Sequence, residues 1–211
     1  MTLDKILNMF VVLLVVIDPV GVTPVFGALT RGGGALHRRR MAFKGTALAA
    51  AILLVFALIG DWLLTTLGIT LPAFKIAGGV LLFLIALDMV FARQSGGRST
   101  TGSEEEEARH KEDISVFPLA FPLIAGPGAL TTILLMVGES RGNPLQFAAM
   151  IGVLLVILAL TLACLLIAGR LMNFLGETGA NVMDRLFGVI LAALAVQFVI
   201  DGARAVFVPG A

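Results

Sequence analysis

Phe117-Pro118-Leu119-Ala120-Phe121-Pro122-Leu123-Ile124-Ala125-Gly126-Pro127-Gly128-Ala129-Leu130-Thr131-Thr132 is apolar enough to lie in a bilayer, yet its composition interrupts a helix. Pro127 has no N–H and clashes with the preceding turn, while Gly126 and Gly128 tolerate backbone angles that other residues avoid. A helix broken here frees several N–H and C=O groups. In hydrocarbon such groups are tolerated only under packed protein or beside a wet cavity. One other stretch is of this kind, Asp18-Pro19-Val20-Gly21-Val22-Thr23-Pro24. The two stretches predict two halves that bring their breaks face to face.

Composition sets the class. Charged residues make up 14% of the 211-residue chain and the mean hydropathy is +1.02, which excludes an ordinary soluble domain. The apolar residues fall in runs of about 20, the length of helix that crosses about 30 Å of hydrocarbon. The fold class is therefore all-α, a polytopic membrane protein. A net charge of +1 without basic–aromatic interleaving gives no reason to expect nucleic acid. The single cysteine, Cys164, excludes a disulfide within the chain. His37 and His110 both fall in expected loops, so neither a metal site nor a cofactor is expected. The first apolar run continues past Asp18 with no small-x-small cleavage site, so residues 1–28 read as a retained membrane segment.

Six crossings are expected, at about residues 3–29, 41–67, 73–91, 116–137, 145–168 and 184–207. The first and fourth carry the breaks. Residues 31–40 read as a glycine-rich and then basic loop, and a loop with Arg170, Glu177 and Asn181 precedes the last crossing. Residues 93–113, with Glu104-Glu105-Glu106-Glu107, read as a solvated linker. The chain then divides into a three-helix unit at 1–92, the linker at 93–113 and a second three-helix unit at 114–211. Loops on the linker side carry Arg31, Arg38, Arg39, Arg40, Lys44, Arg93, Arg98, Arg109, Lys111, Arg170 and Arg185, and the other side only Lys5, Lys75, Arg141 and Arg204. That bias places the linker in the cytoplasm and both termini outside.

The halves also align. Pro19 falls on Pro127 and Thr23 on Thr131 at an offset of 108, while Gly79-Val80-Leu81-Leu82 falls on Gly188-Val189-Ile190-Leu191 at 109. The same register sets Asp88 against Gln197. Three crossings per half make the second half enter from the opposite side. Inverted repeats with broken helices are characteristic of secondary transporters, whose substrate site lies where the broken helices meet. A half-helix that begins at a break presents N–H groups and a positive dipole end to an anion, and one that ends there offers carbonyls to a cation. A small zwitterion could use both.

Asp18-Pro19-Val20-Gly21 with Pro24-Val25-Phe26, together with Pro122-Leu123-Ile124-Ala125-Gly126-Pro127-Gly128-Ala129-Leu130-Thr131-Thr132, resembles the MarC family of bacterial inner-membrane proteins. The likeness covers essentially the whole chain. It implies six spans and, since some members are similar to transporters of glycine and alanine, transport of small polar metabolites. Many members have Asn where this chain has Val22, which puts the carry-over of specificity in question.

The candidate substrate-binding residues are Asp18, Pro19, Gly21, Thr23, Gly126, Pro127, Gly128, Thr131 and Thr132, and the candidate coupling residues are Asp18, Asp88 and Gln197. Each has a plainer reading. A charge in mid-bilayer usually marks function, but Asp18 before Pro19 could equally cap its own helix. Thr23, Thr131 and Thr132 could ligate or bond back to their own helices. Asp88 could carry a proton, though an interfacial role is favoured, as it is for Asp61-Trp62. Asp201 and Arg204 are spaced to pair, and Gly78-Gly79 suits close helix packing.

The reading is a secondary transporter of small neutral amino acids or similar solutes. Its partners are the lipid bilayer, a small zwitterionic solute and H+ or Na+, with a homo-oligomer left open. A membrane scaffold, or an efflux protein for other small metabolites, is the alternative. An enzyme is disfavoured, because apart from Cys164 the spans hold no His or Cys, no paired aspartates and no zinc-ligand pattern. No nucleotide-binding motif supports ATP-driven transport by this chain.

Overall fold

The computed structural model describes residues 3–30, 32–91, 113–140 and 142–207, and every regular element among them is helical. The helices are α1 (Leu3–Ile17), α2 (Pro19–Leu29), α3 (Ala35–Thr66), α4 (Leu71–Phe91), α5 (Ser115–Ile124), α6 (Pro127–Glu139), α7 (Pro144–Leu166) and α8 (Ala168–Phe207). Five spans are long and apolar enough to cross a membrane: Leu3–Leu29, Ala35–Gly60, Leu71–Phe91, Pro144–Leu166 and Asn181–Phe207. The pair α5–α6, bent by 57°, makes a sixth. Both expected interruptions are present, at Asp18 and at Gly126. Apart from Asp113, the expected linker lies outside the described residues.

Two expected loops are instead helical. Residues 35–40 form the start of α3, with Arg38, Arg39 and Arg40 exposed. Arginine is a good helix former, and only the glycines before it resist the helix. At 32 residues α3 is about 48 Å long against about 30 Å of hydrocarbon, so its charged end extends beyond the core. Likewise, α8 runs through Arg170 and Asn181 and is interrupted only at Gly176, whose φ of 64° belongs to the left-handed region. Hydropathy marks what lies in lipid rather than where a helix ends.

Among the five single spans the broken Leu3–Leu29 is the most enclosed, with 61% of its apolar stretch buried against 22% for Asn181–Phe207. Met9, Val12, Leu13, Val16 and Ile17 form its buried face. Around it, α1 and α2 pack on α7, α2 also packs on α8, and α3 crosses α5, α6 and α7. The outward faces carry Phe43, Leu58, Val80, Leu84, Val156, Leu160 and Val189, side chains suited to lipid.

The most extensive contact joins α4 to α8. They run antiparallel, since Lys75 meets Gly202, Gly79 meets Ala195 and Val199, and Val90 meets Gly188. A Cβ on Gly79 would lie 2.7 Å from the Ala195 carbonyl oxygen and 2.7 Å from Val199 Cγ2, and one on Gly188 would lie 2.8 Å from Met89 Cβ and 3.0 Å from Val90 N. In lipid, helix association rests on such close van der Waals contact rather than on a hydrophobic drive. The register that sets Gly79 against Gly188 also sets Val90 against Val199, so each glycine receives the other's valine.

Candidate functional site

The first break is built on Asp18. Its N–H still closes the last turn of α1 on the Leu14 carbonyl at 2.9 Å. Pro19 cannot continue the helix, and Asp18 turns to φ 48°, ψ 72°, the one non-glycine with positive φ among the described residues. Its Oδ1 then accepts the Gly21 N–H at 3.0 Å and caps α2, with proline at the first helical position. The carboxylate is fully buried. Capping is therefore the geometry Asp18 adopts, and it leaves the second oxygen against Gly21.

That glycine is required. A Cβ on Gly21 would stand 2.1 Å from Asp18 Oδ2 and 2.8 Å from Asp184 Oδ1, so both carboxylates rest on the same Cα. No pairing of aspartates was expected from the sequence, yet the packing of α2 on α8 makes one. The available signal was an acidic residue at the start of the last apolar run. Thr23 adopts the plainer role, its hydroxyl donating to the Pro19 carbonyl at 2.7 Å. Pro24 leaves the Val20 carbonyl without its helical donor.

The second break is built on proline and glycine alone. In α5 the Leu119 N–H bonds to the Ile114 carbonyl at 3.2 Å and the Ala125 N–H to the Ala120 carbonyl at 2.8 Å, a wider winding than an α-helix. Phe117 and Phe121 are extended, as a residue before proline prefers to be. Gly126 passes so close to the Pro122 carbonyl that a Cβ would lie 2.3 Å from its oxygen. Pro127 then starts α6 with no side-chain cap, and the Gly128 and Ala129 N–H groups have no acceptor within the helix.

Over this helix start lies a narrow, half-open pocket. Val16, Leu82, Ile85 and Leu191 wall it, and residues 122–124 and 126–129 form its floor. A Cβ on Gly128 would come 3.0 Å from Leu82 Cδ2, 3.3 Å from Ile85 Cδ1 and 3.5 Å from Val16 Cγ1. Thus α1 reaches the second break through Val16, and walls from α1, α4 and α8 close over it.

The expected single site divides in two. Pro127, Gly128 and Gly126 line the apolar pocket, whereas the Asp18 carboxylate is turned along α2 toward Asp184 by its capping bond and does not line it. Thr131 is buried with its methyl on Gly78, a Cβ there lying 2.1 Å from Thr131 Cγ2. Thr132 is fully buried, and its hydroxyl makes no hydrogen bond among the described residues. Asp88 is half-buried. Gln197 donates to Asp201 at 2.6 Å, so Asp201 meets it where Arg204 was expected. Asp88 lies beside the Gly188 end of the α4–α8 contact and Gln197 beside the Gly79 end, so these two are held apart from one another. Trp62 is exposed, as an interfacial anchor would be.

Two ion pairs hold the ends of α5–α6. At the start, Asp113 pairs with Lys44 of α3 and accepts the Ser115 N–H at 3.0 Å together with its hydroxyl. The Lys44 ammonium and the Ser115 donors hold the Asp113 carboxyl well below the usual range. At the far end, Lys75 Nζ of α4 meets Glu139 Oε1 at 2.6 Å. The sequence reading used both lysines only for their charge.

The model of the MarC family of integral membrane proteins matches residues 3–207. A UPF0056 membrane protein of Methanocaldococcus jannaschii is 40% identical over 90% of this chain and 91% of its own. UPF0056 membrane protein YvbG of Bacillus subtilis is 35% identical over 98% of each chain. UPF0056 inner membrane protein YhgN of Escherichia coli is 33% identical over 96% of this chain and 98% of its own. No solved structure matches the chain. With the family model spanning nearly every residue and the broken-helix bundle behind it, the chain belongs to the MarC family of integral membrane proteins.

Proposed function

We propose that the protein is a secondary transporter of small neutral amino acids, built as two inverted three-span halves, 1–92 and 114–211, with the linker in the cytoplasm and both termini outside. The observation that carries this reading is the pocket at Gly126-Pro127-Gly128. It is walled by both halves and floored by a helix start without a side-chain cap, inside an apolar span. Exposed backbone at that depth is tolerated where it lines a cavity, and such cavities are where transporters hold substrate.

The helix contacts support the inverted arrangement. α3 on α5 and α6 is matched by α7 on α1 and α2, and α2 on α8 is matched by α6 on α4. The reciprocal Gly79–Val199 and Gly188–Val90 contacts and the antiparallel course of α4 and α8 agree with an axis in the membrane plane. In this reading the Gly128 and Ala129 N–H groups take the substrate carboxylate and the Pro122 carbonyl faces the ammonium. Asp18, beside Asp184, is the group through which a proton or sodium gradient acts.

The test is counterflow of labelled glycine and alanine into proteoliposomes of the purified protein, with and without H+ and Na+ gradients. Saturable uptake above empty vesicles is expected. In Gly128→Val, added methyls meeting Leu82 and Ile85 should reduce it at least about tenfold, the scale of a misplaced substrate. Absence of uptake in the wild type under every gradient removes the reading.

A further inference from the structure

We infer that the start of α3 is a binding site for the headgroup of an anionic phospholipid, held between Arg39 and Arg40 over Leu36 and Phe43. The site stands apart from the transport reading. One face of α3 is exposed along most of the helix. Leu36, Arg40, Phe43, Ala47, Ala51 and Leu58 follow one another on it at helical spacing, and Trp62 closes it one turn beyond Leu58. At about 1.5 Å per residue the rise from Arg40 to Trp62 is about 33 Å, close to the roughly 30 Å of a hydrocarbon core. With the Trp62 ring at one interface, where such rings collect, the Arg40 guanidinium stands at headgroup level on the other.

Around Arg40 this face holds both kinds of group that a phospholipid needs. Leu36, 83% exposed, and Phe43, 53% exposed, stand about two turns apart. Arg39 and Arg40, both exposed, lie on either side of the line between them, each at helical-neighbour spacing from both. The apolar pair suits an acyl chain. The guanidinium pair suits a phosphate, which arginine's planar fork can take in bidentate fashion. The two ion pairs among the described residues leave these arginines aside, since Asp113 takes Lys44 and Glu139 takes Lys75. Cations so near a helix start also oppose its dipole, which favours negative charge there. The first turn of α3 has no acidic residue and Gly34 supplies no side-chain cap, so nothing at the helix start offsets Arg38, Arg39 and Arg40. A bound anion does. An acidic protein segment would satisfy the arginines but leave Leu36 and Phe43 in water, whereas a lipid covers both.

The test is fluorescence quenching by brominated phospholipids in vesicles carrying the full chain, whose single tryptophan is moved into the patch by Trp62→Phe with Phe43→Trp. Both positions are exposed, so the exchange leaves the packing alone. At equal mole fraction, dibrominated phosphatidylglycerol should compete for position 43 about fivefold better than dibrominated phosphatidylcholine, or more, the scale of one arginine at a lipid surface. Arg39→Gln with Arg40→Gln should bring the two lipids to near parity, and added salt should weaken the preference. The unaltered Trp62 should show no preference. Should the moved tryptophan not purify folded, the same contrast is read as phosphatidylglycerol retained by wild type and lost by the double glutamine variant in native mass spectrometry. Equal quenching by the two lipids at position 43 overturns the inference, as does a preference that survives the double glutamine variant or appears equally at Trp62. A preference seen only after Glu104, Glu105, Glu106 and Glu107 are all changed to Gln gives the arginines to the chain's own acidic run and overturns it as well.

Discussion

Gly79 rests on Val199 of the antiparallel helix so closely that the space for its Cβ is already taken, and Gly188 rests on Val90 in the same way. A side chain at either position would have to part the α4–α8 contact. Overpacking of this kind costs about 1–3 kcal/mol, because backbone rather than a side-chain tip stands in the way. Gly79→Val and Gly188→Val should therefore lower the unfolding temperature in detergent by similar amounts. Gly152, on α7, has nothing within 4 Å of its Cβ position, and Gly152→Ala should hold or raise stability by about 0.5–1 kcal/mol. Equal responses at all three glycines would show that the α4–α8 approach is not tight.

A second outcome concerns the aspartate at the first break. Asp18→Asn keeps a side-chain oxygen for the Gly21 N–H and tolerates left-handed backbone at least as well. It should insert and fold. Removing the cap in Asp18→Ala should cost about 0.5–2 kcal/mol. If the carboxylate facing Asp184 also carries coupling, Asp18→Asn should alter the response of counterflow to H+ or Na+ gradients while Asp18→Ala lowers stability as well. Gradient responses identical to wild type in Asp18→Asn would leave Asp18 as a cap alone.

The Lys44–Asp113 pair supplies a pH dependence whose sign can be worked out. The folded state depresses the Asp113 carboxyl. The pair's contribution is thus present above the ordinary carboxylate range, near 3.9, and is lost as pH falls through the folded-state value. Both side chains are nearly half exposed, so the contribution at pH 7 is at most about 1 kcal/mol. Asp113→Asn should unfold at a slightly lower temperature than wild type at pH 7, and the gap should narrow as pH approaches 3. A gap that is constant over pH 3–7 would assign the effect to something other than this charge.

What could be read from the sequence was what the local chain decides. Pro19 and Pro127 stop a helix wherever they are, and Gly126 must be glycine because its own chain turns back on the Pro122 carbonyl. Helix lengths followed less well, because the arginines at 38–40 join the helix although they are charged and exposed. The division of the site was not legible. It follows from Asp18 spending one oxygen on Gly21, three residues away, and meeting Asp184 through packing of helices far apart in the chain. Leu82 reads in the sequence as an ordinary core leucine, and only the approach of α4 to Gly128 makes it a wall of the pocket.

The Lys75–Glu139 pair ties the start of α4 to the end of α6, one proposed half to the other, at the end of the bundle opposite Asp113. Lys75 is the more enclosed partner, with its side chain 17% exposed against 47% for Glu139. Beside it Gly138 rests on Leu71, a Cβ there lying 2.5 Å from Leu71 Cδ1, so charge and close packing act at one joint. Removing Glu139 strands a largely enclosed ammonium, which costs more than leaving the half-exposed carboxylate without its partner. Glu139→Gln should therefore destabilise the protein by about 1 kcal/mol and Lys75→Met by less. Exchanging the charges in Lys75→Glu with Glu139→Lys should recover stability lost in either reversal alone. If transport requires this joint to open, both single neutral variants should also shift the rate at which an impermeant thiol reagent reaches a cysteine placed at Ala129 in a Cys164→Ser background. Recovery of stability by the charge exchange with no change in reagent access would make the pair a clamp on the fold, with no part in opening the pocket.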